Sequence, residues 1–310
     1  MILVLNMNAS VDKKYVLDKL PNDTVVRAVS VQNTPGGKGI HAANIMTILG
    51  EECVVTGFVG GYNGDFIVES LKKYGIKSDF VKLPSGETRC CLAFMTADGA
   101  QSEVLEPGPS VPVASLQEFY DKFDMYLDKV TAVAASGSVP QNVPTNVYAK
   151  LIAMARAKDK KFFLDTSGAL LQEAIKAKPY FIKPNRDEVE AITGRKMKTK
   201  KDVIREIKQF MQQGIKIPVI SLGAEGVFAG YEGKIYKVTV MKIKAVNAVG
   251  SGDSFVGGMV TACVRGLSIE ESLKLASACG TANAMEDEIA VVKTAAVADF
   301  AKKTIVEIVA

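Results

Sequence analysis

The run Ile2 to Leu5 is wholly apolar and predicts a buried strand. Two β-branched stretches that also carry lysines, near Lys14–Leu17 and Val25–Val31, predict exposed strands. Apolar residues then recur at helical spacing at Ile40, Ala43, Met46, Ile48 and Leu49, which predicts a helix from about Gly39 to Leu49. A strand at Val54–Val59, a helix at Asp65–Tyr74 and a short strand at Phe80–Leu83 follow. Cys91–Met95 and Ser102–Leu105 form a hairpin pattern around the turn signal Asp98-Gly99. The sequence Glu106-Pro107-Gly108-Pro109 then breaks the chain.

Beyond that break the rhythm is steadier. Ser115 and Glu118 have capping-box spacing and predict a helix that opens there and runs to about Leu127. Strands at Ala132–Ala135, Phe162–Asp165, Tyr180–Lys183 and Val219–Leu222 alternate with helices near 145–157, 169–177, 187–193 and 202–213. A hairpin of Val227–Tyr231 and Ile235–Val240 precedes three helices near 253–265, 269–285 and 295–304. Ser268 with Glu271 caps the middle one. Such alternation predicts an α/β fold, a doubly wound and mostly parallel sheet with helices on both faces. The early exposed strands fall outside the rhythm and suggest a small β-lid inserted into the large domain.

Composition narrows the function. The chain has 310 residues, 48% apolar and 23% charged, as expected of a soluble globular protein with a large core. A formal charge of +4 does not mark a nucleic-acid binder and suits small anionic ligands. The basic stretches Lys158 to Lys161 and Arg195 to Lys201 read as solvated surface. One His and five scattered Cys argue against a zinc site and for reduced thiols in a cytoplasmic setting. Neither a signal peptide nor a membrane-length apolar run is evident.

Four segments could carry chemistry. Asn247-Ala248-Val249-Gly250-Ser251-Gly252-Asp253 lies directly before a predicted helix. Two glycines allow a tight turn and close ligand approach, and free amides at a helix start favour negative charge. Asp253 at that spot could take a proton from an incoming hydroxyl, or could simply decorate the helix N-terminus. The spacing misses the dinucleotide fingerprint, and no GxxxxGK[ST] loop occurs. Pro35-Gly36-Gly37-Lys38-Gly39 also leads into a helix, as either a substrate loop or a surface turn. Ser221-Leu222-Gly223-Ala224-Glu225-Gly226 follows a sheet strand, where ligands of open α/β sheets sit, or else forms a hairpin turn. In Lys183-Pro184-Asn185-Arg186-Asp187-Glu188, Asn185 and Glu188 have capping-box spacing, so helix initiation accounts for them without a ligand.

In this order the four segments resemble the ribokinase-like carbohydrate kinases, in their phosphofructokinase B branch. The resemblance covers nearly the whole chain and extends to Asn8-Ala9-Ser10-Val11-Asp12, Thr88-Arg89, Glu106-Pro107-Gly108-Pro109 and Ser136-Gly137-Ser138-Val139-Pro140. Asn247 in the catalytic loop, together with Glu-Pro-Gly-Pro, is most similar to bacterial 1-phosphofructokinases and tagatose-6-phosphate kinases. The resemblance implies one ribokinase-like kinase domain over 1–310, with a β-lid formed by about 12–33 and 86–107, often paired lid to lid in a homodimer. It implies ATP and Mg²⁺ as cofactors, with a monovalent cation a further candidate. It makes Asp253 the base and Gly250, Ser251 and Gly252 the anion hole around the moving phosphoryl group. Lys183, Asn185 and Ser221 to Gly226, with Gly252, would line ATP, and Glu188 with Asn185 would organise Mg²⁺ through water. Asp12, Gly37, Lys38, His41 and Ser138 would contact the sugar, while Arg27 and Arg89 on the lid strands would hold its phosphate.

Three departures from the family pattern fall on the sugar side. His41 stands where Asn is usual, Ala9-Ser10 where Pro-Ala is common, and Leu105 where Asn commonly precedes Glu-Pro-Gly-Pro. The ATP side keeps the pattern. The expected reaction is transfer of the γ-phosphoryl of ATP to a ketohexose monophosphate, with fructose 1-phosphate first and tagatose 6-phosphate second. Fructose 6-phosphate, a free sugar or a nucleoside is the alternative acceptor, and a non-catalytic sugar-phosphate sensor the rival class.

Overall fold

Every residue of β1 (Ile2–Asn8) is buried, and its side chains divide between two cores. Leu3, Leu5 and Met7 join one, Ile2 and Val4 the other. This is how a strand covered on both faces must read: continuously apolar, with alternate residues serving opposite helical layers. Phe162 and Phe163 of β10 (Lys161–Asp165) divide the same way.

The computed structural model describes residues 1–310. The first part runs β1, β2 (Ser10–Leu17), β3 (Ser30–Gly36), α1 (Lys38–Ile48), β4 (Cys53–Val59), α2 (Gly61–Lys73), β5 (Lys77–Ser78), β6 (Val81–Lys82), β7 (Arg89–Thr96) and β8 (Gln101–Leu105). Then come α3 (Val113–Leu127), β9 (Ala132–Ser136), α4 (Val147–Ala157), β10, α5 (Gly168–Lys176), β11 (Phe181–Ile182), α6 (Arg186–Thr193) and α7 (Lys200–Gln212). The chain ends with β12 (Ile217–Ser221), β13 (Val227–Tyr231), β14 (Lys234–Thr239), α8 (Ser251–Val264), α9 (Ile269–Asn283), α10 (Thr294–Lys303) and β15 (Ile305–Ile308).

The large sheet has the order β15-β14-β13-β12-β11-β10-β9-β1-β4-β5, with β6 also on β4. It is parallel from β12 through β9 and β1 to β4 and its partners, and antiparallel from β12 to β15. Apolar faces of α3, α4 and α7 close one core, and those of α1, α2, α8 and α9 the other. β9 and β4 flank β1 on opposite sides, so strand order reverses there, the place where open α/β sheets form a crevice beyond their carboxyl ends. A separate four-stranded sheet, β3-β2-β7-β8, stands over that crevice. The doubly wound α/β fold with a small added sheet is thus the one the alternation predicts.

Several boundaries differ from expectation. The stretch Val25–Val31 enters a strand only at its last two residues: β3 begins at Ser30 and continues through Pro35-Gly36, because its register pairs Ser10 with Gly36 and Val16 with Ser30. Arg27 therefore lies in the exposed connection before β3 and not on a strand. The helix expected to open at Ser115 starts at Val113 after Pro112, and Ser115 is buried inside it without a capping bond. Proline fits a helix start because its missing N–H needs no partner there. The expected Ser268–Glu271 and Asn185–Glu188 capping boxes are present. The terminal strand β15 was not expected; its partly exposed residues lack a clear alternation and gain their order by pairing with β14.

One basic stretch is not merely solvated. Arg195 grips the fully buried carboxylate of Glu206 through Nε at 3.0 Å and Nη2 at 2.5 Å, and Arg205 Nε adds a bond at 2.9 Å. Burial alone would raise the Glu206 carboxyl; the two guanidiniums outweigh it and hold it below 4.5. A depressed carboxyl stabilises the fold fully above that ordinary value and loses its effect as pH falls through the folded one. Glu206→Gln should lower stability at pH 7 by roughly 1–3 kcal/mol. The gap to wild type should narrow in denaturant titrations at stepped pH as pH falls through the depressed range of the folded carboxyl, since the wild-type carboxyl then becomes protonated as well.

Candidate active site

The crevice and the small sheet enclose a cleft of about 580 Å³. Its floor is organised by two asparagines at the end of β1. Asn6 Nδ2 donates to the Gly36 carbonyl at 3.2 Å, and its Oδ1 accepts from the Gly39 amide at 3.1 Å, so one side chain sets the Gly-Gly-Lys-Gly turn. Asn8 Nδ2 reaches the Pro107 carbonyl at 3.2 Å and Ser138 Oγ at 3.1 Å, tying two loops to the strand.

The turn before α8 forms the opposite wall. Gly250 has φ 79°, and a Cβ there would come within 2.6 Å of Ile289, so glycine is needed on both counts. The α8 start has no side-chain cap, and the amides of Gly252 and Asp253 have no acceptor in the protein. Unpaired amides at a helix start make a ready anion site. Asn283 braces the turn from α9: its Nδ2 donates to the Val249 carbonyl at 2.8 Å and to Ser251 Oγ at 3.1 Å, and its Oδ1 accepts from the Ala290 amide at 2.7 Å. Ser251 thus turns into this brace rather than lining the cleft.

Asp253 is buried except for its contact with the cleft. His41, one turn into α1, bonds it through Nδ1 to Oδ2 at 2.9 Å and bonds Asp12 through Nε2 to Oδ2 at 3.2 Å. Ser10 Oγ donates to the other oxygen of Asp12 at 2.7 Å. Burial alone would lower the imidazole; the bonds and charges of Asp12 and Asp253 reverse this and push it up to about 10. Lys38 is held above the ordinary lysine range, chiefly by the charge of Asp165, with Asp253 and Glu188 adding. Lys183 is buried, 3.3 Å from Asp165 Oδ2, and its Nζ lies beside Gly252.

Arg89 opens β7 and lines the cleft. Its Nη1 donates to the Glu106 carbonyl at 3.0 Å, while its buried Nε has no partner. A guanidinium at a cleft wall suits an anionic ligand. In α6, Asn185 Oδ1 and Glu188 Oε2 are spent on the capping box, at 2.8 Å each. The second carboxylate oxygen of Glu188 stays uncommitted at the cleft wall, and a hard oxygen ligand of that kind fits a hydrated Mg²⁺. Ser221 touches the cleft and is tied to Asn185 by a backbone bridge. Leu222, Gly223, Ala224, Glu225 and Gly226 form the β12–β13 turn beyond the cleft lining, closed by the Leu222 amide on the Gly226 carbonyl at 2.9 Å.

The cleft therefore gathers Asp12, Gly37, Lys38, His41, Arg89, Ser138, Lys183, Asn185, Glu188, Ser221, Gly250, Gly252 and Asp253. Arg27 stands outside it. Asn6, Asp165 and Asn283 were not anticipated. Asn283 interrupts the small, mostly apolar run of α9 at a buried position, the one signal by which it could have been found. No helix is long and apolar enough to cross a membrane.

Residues 6–288 match the model of the pfkB family carbohydrate kinases. Among solved structures, a Staphylococcus aureus protein provisionally assigned as a phosphofructokinase is 28% identical, covering 100% of this chain and 99% of its own, with a TM-score of 0.86. A possible 1-phosphofructokinase from Thermotoga maritima is 25% identical over 100% of this chain and 99% of its own, at TM-score 0.90. Phosphofructokinase-2 from Escherichia coli, solved in complex with potassium, shares the fold at TM-score 0.91 with 23% identity, over 97% and 98% of the two chains.

Proposed function

Since the chain belongs to the pfkB family of carbohydrate kinases, we propose that it transfers the γ-phosphoryl of MgATP to a ketohexose monophosphate, yielding a bisphosphate. Fructose 1-phosphate is the first-choice acceptor and tagatose 6-phosphate the second. The observation that carries this reading is the meeting, in one cleft, of the Asp253 carboxylate, the free amides of Gly252 and Asp253, and the Arg89 guanidinium.

In this mechanism Asp253 accepts the proton of the acceptor hydroxyl at Oδ1, the oxygen that His41 leaves free. The amides at the α8 start, with the Lys183 ammonium beside them, stabilise charge on the moving phosphoryl group. Asp12 and the Gly37-Lys38 turn orient the sugar, and Arg89 holds the phosphate it already carries. Asn185, Ser221 and the turn to Gly226 border the nucleotide. Glu188, with Asn185 beside it, would hold Mg²⁺ through water, and the ion when bound would supply neutralisation of the nucleotide's phosphate charge. The potassium complex of the Escherichia coli relative supports testing a monovalent cation as well. Pairing of two copies through the small sheet is supported by the exposed apolar residues Val31 and Val104 on its outer strands.

An ATP-consumption screen with fructose 1-phosphate, tagatose 6-phosphate, fructose 6-phosphate, free sugars and nucleosides tests the reading. Turnover with a ketohexose monophosphate is expected. Turnover confined to free sugars or nucleosides would replace the acceptor, and tight sugar-phosphate binding without ATP use would favour a sensor.

A further inference from the structure

His41 is the only histidine of the chain, and both of its ring nitrogens face carboxylates. A neutral imidazole has a single N–H, so one of these contacts would set a ring lone pair against a carboxylate oxygen. Only the imidazolium donates in both directions. The charged groups around it come from three elements: Asp12 on β2, Asp253 on α8 and Lys38 at the start of its own helix. Cys91 and Arg89 of β7 lie behind Asp12, in register with β2. Two of the three sugar-side departures, His41 and Ser10, thus converge on the same carboxylate.

The chemical consequence is twofold. Asp253 is fixed through Oδ2, which presents Oδ1 to an acceptor. In addition, two carboxylates at the acceptor end would repel a sugar that already carries a phosphate, and the imidazolium cancels one of them. A neutral sugar gains nothing from that cancellation. We propose that His41 is a positioning and specificity-determining residue: an imidazolium strut joining Asp12 to Asp253 that aligns the base and favours phosphorylated over unphosphorylated acceptors. This rests on the reading of Asp253 as base for a sugar-phosphate acceptor. An amide at position 41 carries no charge, so it can cancel neither carboxylate.

The test compares wild type with His41→Asn and His41→Gln, using the best ketohexose monophosphate of the screen and its unphosphorylated parent sugar. Where turnover of the free sugar is too slow, its competitive inhibition constant replaces KM. Discrimination in favour of the phosphorylated acceptor should fall at least about tenfold in both variants, as expected for loss of one nearby charge, while KM for ATP moves less than about twofold. Unchanged discrimination in an active variant overturns the role of His41 alone; a wild-type enzyme that uses no sugar phosphate overturns the functional reading beneath it. A second measurement needs no variant to fold. The lone imidazole of tag-free wild type gives one ¹H–¹⁵N signature, which should report both nitrogens protonated at pH 8, well above the ordinary range. A singly protonated ring at that pH overturns the strut.

Discussion

Asp253→Asn should reduce kcat by roughly 10²- to 10⁴-fold, the usual contribution of a positioned base, while KM for ATP stays within about threefold of wild type and KM for the phosphorylated acceptor does not rise, since ground-state contacts survive and one negative charge is removed. The asparagine is isosteric, and its carbonyl oxygen can still accept from His41 Nδ1 at the 2.9 Å position, so the local geometry has no reason to rearrange. The free amides at the α8 start and the Lys183 ammonium also remain. The ability to take a proton is lost, together with one negative charge at the acceptor end. Steady-state kinetics with the best acceptor decide the matter. A variant turning over within about threefold of wild type would remove Asp253 from the proton transfer.

Arg89→Ala should raise KM for the phosphorylated acceptor by roughly 10- to 100-fold, as expected when a charge-assisted hydrogen bond worth about 1.5–3 kcal/mol is lost, and leave KM for ATP nearly unchanged. The guanidinium is half-committed: Nη1 is anchored on the Glu106 carbonyl, and Nε is buried without a partner. Its anchor fixes the fork in space before any ligand arrives, which reduces the entropy lost on binding. Glu106 also holds the Cys90 amide through Oε2 at 2.7 Å, so the segment should keep its shape when Arg89 is truncated. An equal rise in both KM values would instead point to a general loosening of the cleft.

The α/β alternation was legible because central strands such as β1 and β4 are buried on both faces and must be continuously apolar. The small sheet was harder. Its strands are half exposed, and the residues from Val25 to Arg27 have β-branched character without a partner strand opposite them, so pattern placed a strand several residues early. Ser115 misled for a related reason: capping-box spacing says nothing of whether a proline three residues upstream has already started the helix. Asp253, Gly250 and the Gly37-Lys38 turn were legible because glycines before a helix mark a special backbone. The braces were not. Asn6, Asn8 and Asn283 act through contacts far apart in the chain, and a single amide residue carries no local signature of a distant partner. The setting of His41 was half legible: its position marked it, but its two carboxylate partners come from separate elements that only the tertiary fold brings together.

The asparagine braces tie the cleft to both ends of the polypeptide. Asn44 Nδ2 donates to the Ala290 carbonyl at 2.9 Å across 246 positions of sequence, and Asn283 fastens the same late segment to the turn at Gly250. Contacts of such separation close last in folding, because their loop entropy must be met before they return any stabilisation. During synthesis, then, most of the sheet can form on the ribosome while the turn before α8 is still unbraced. A nascent chain arrested before residue 283 should bind neither nucleotide nor sugar phosphate, and activity should appear abruptly with the final helices rather than grow with chain length.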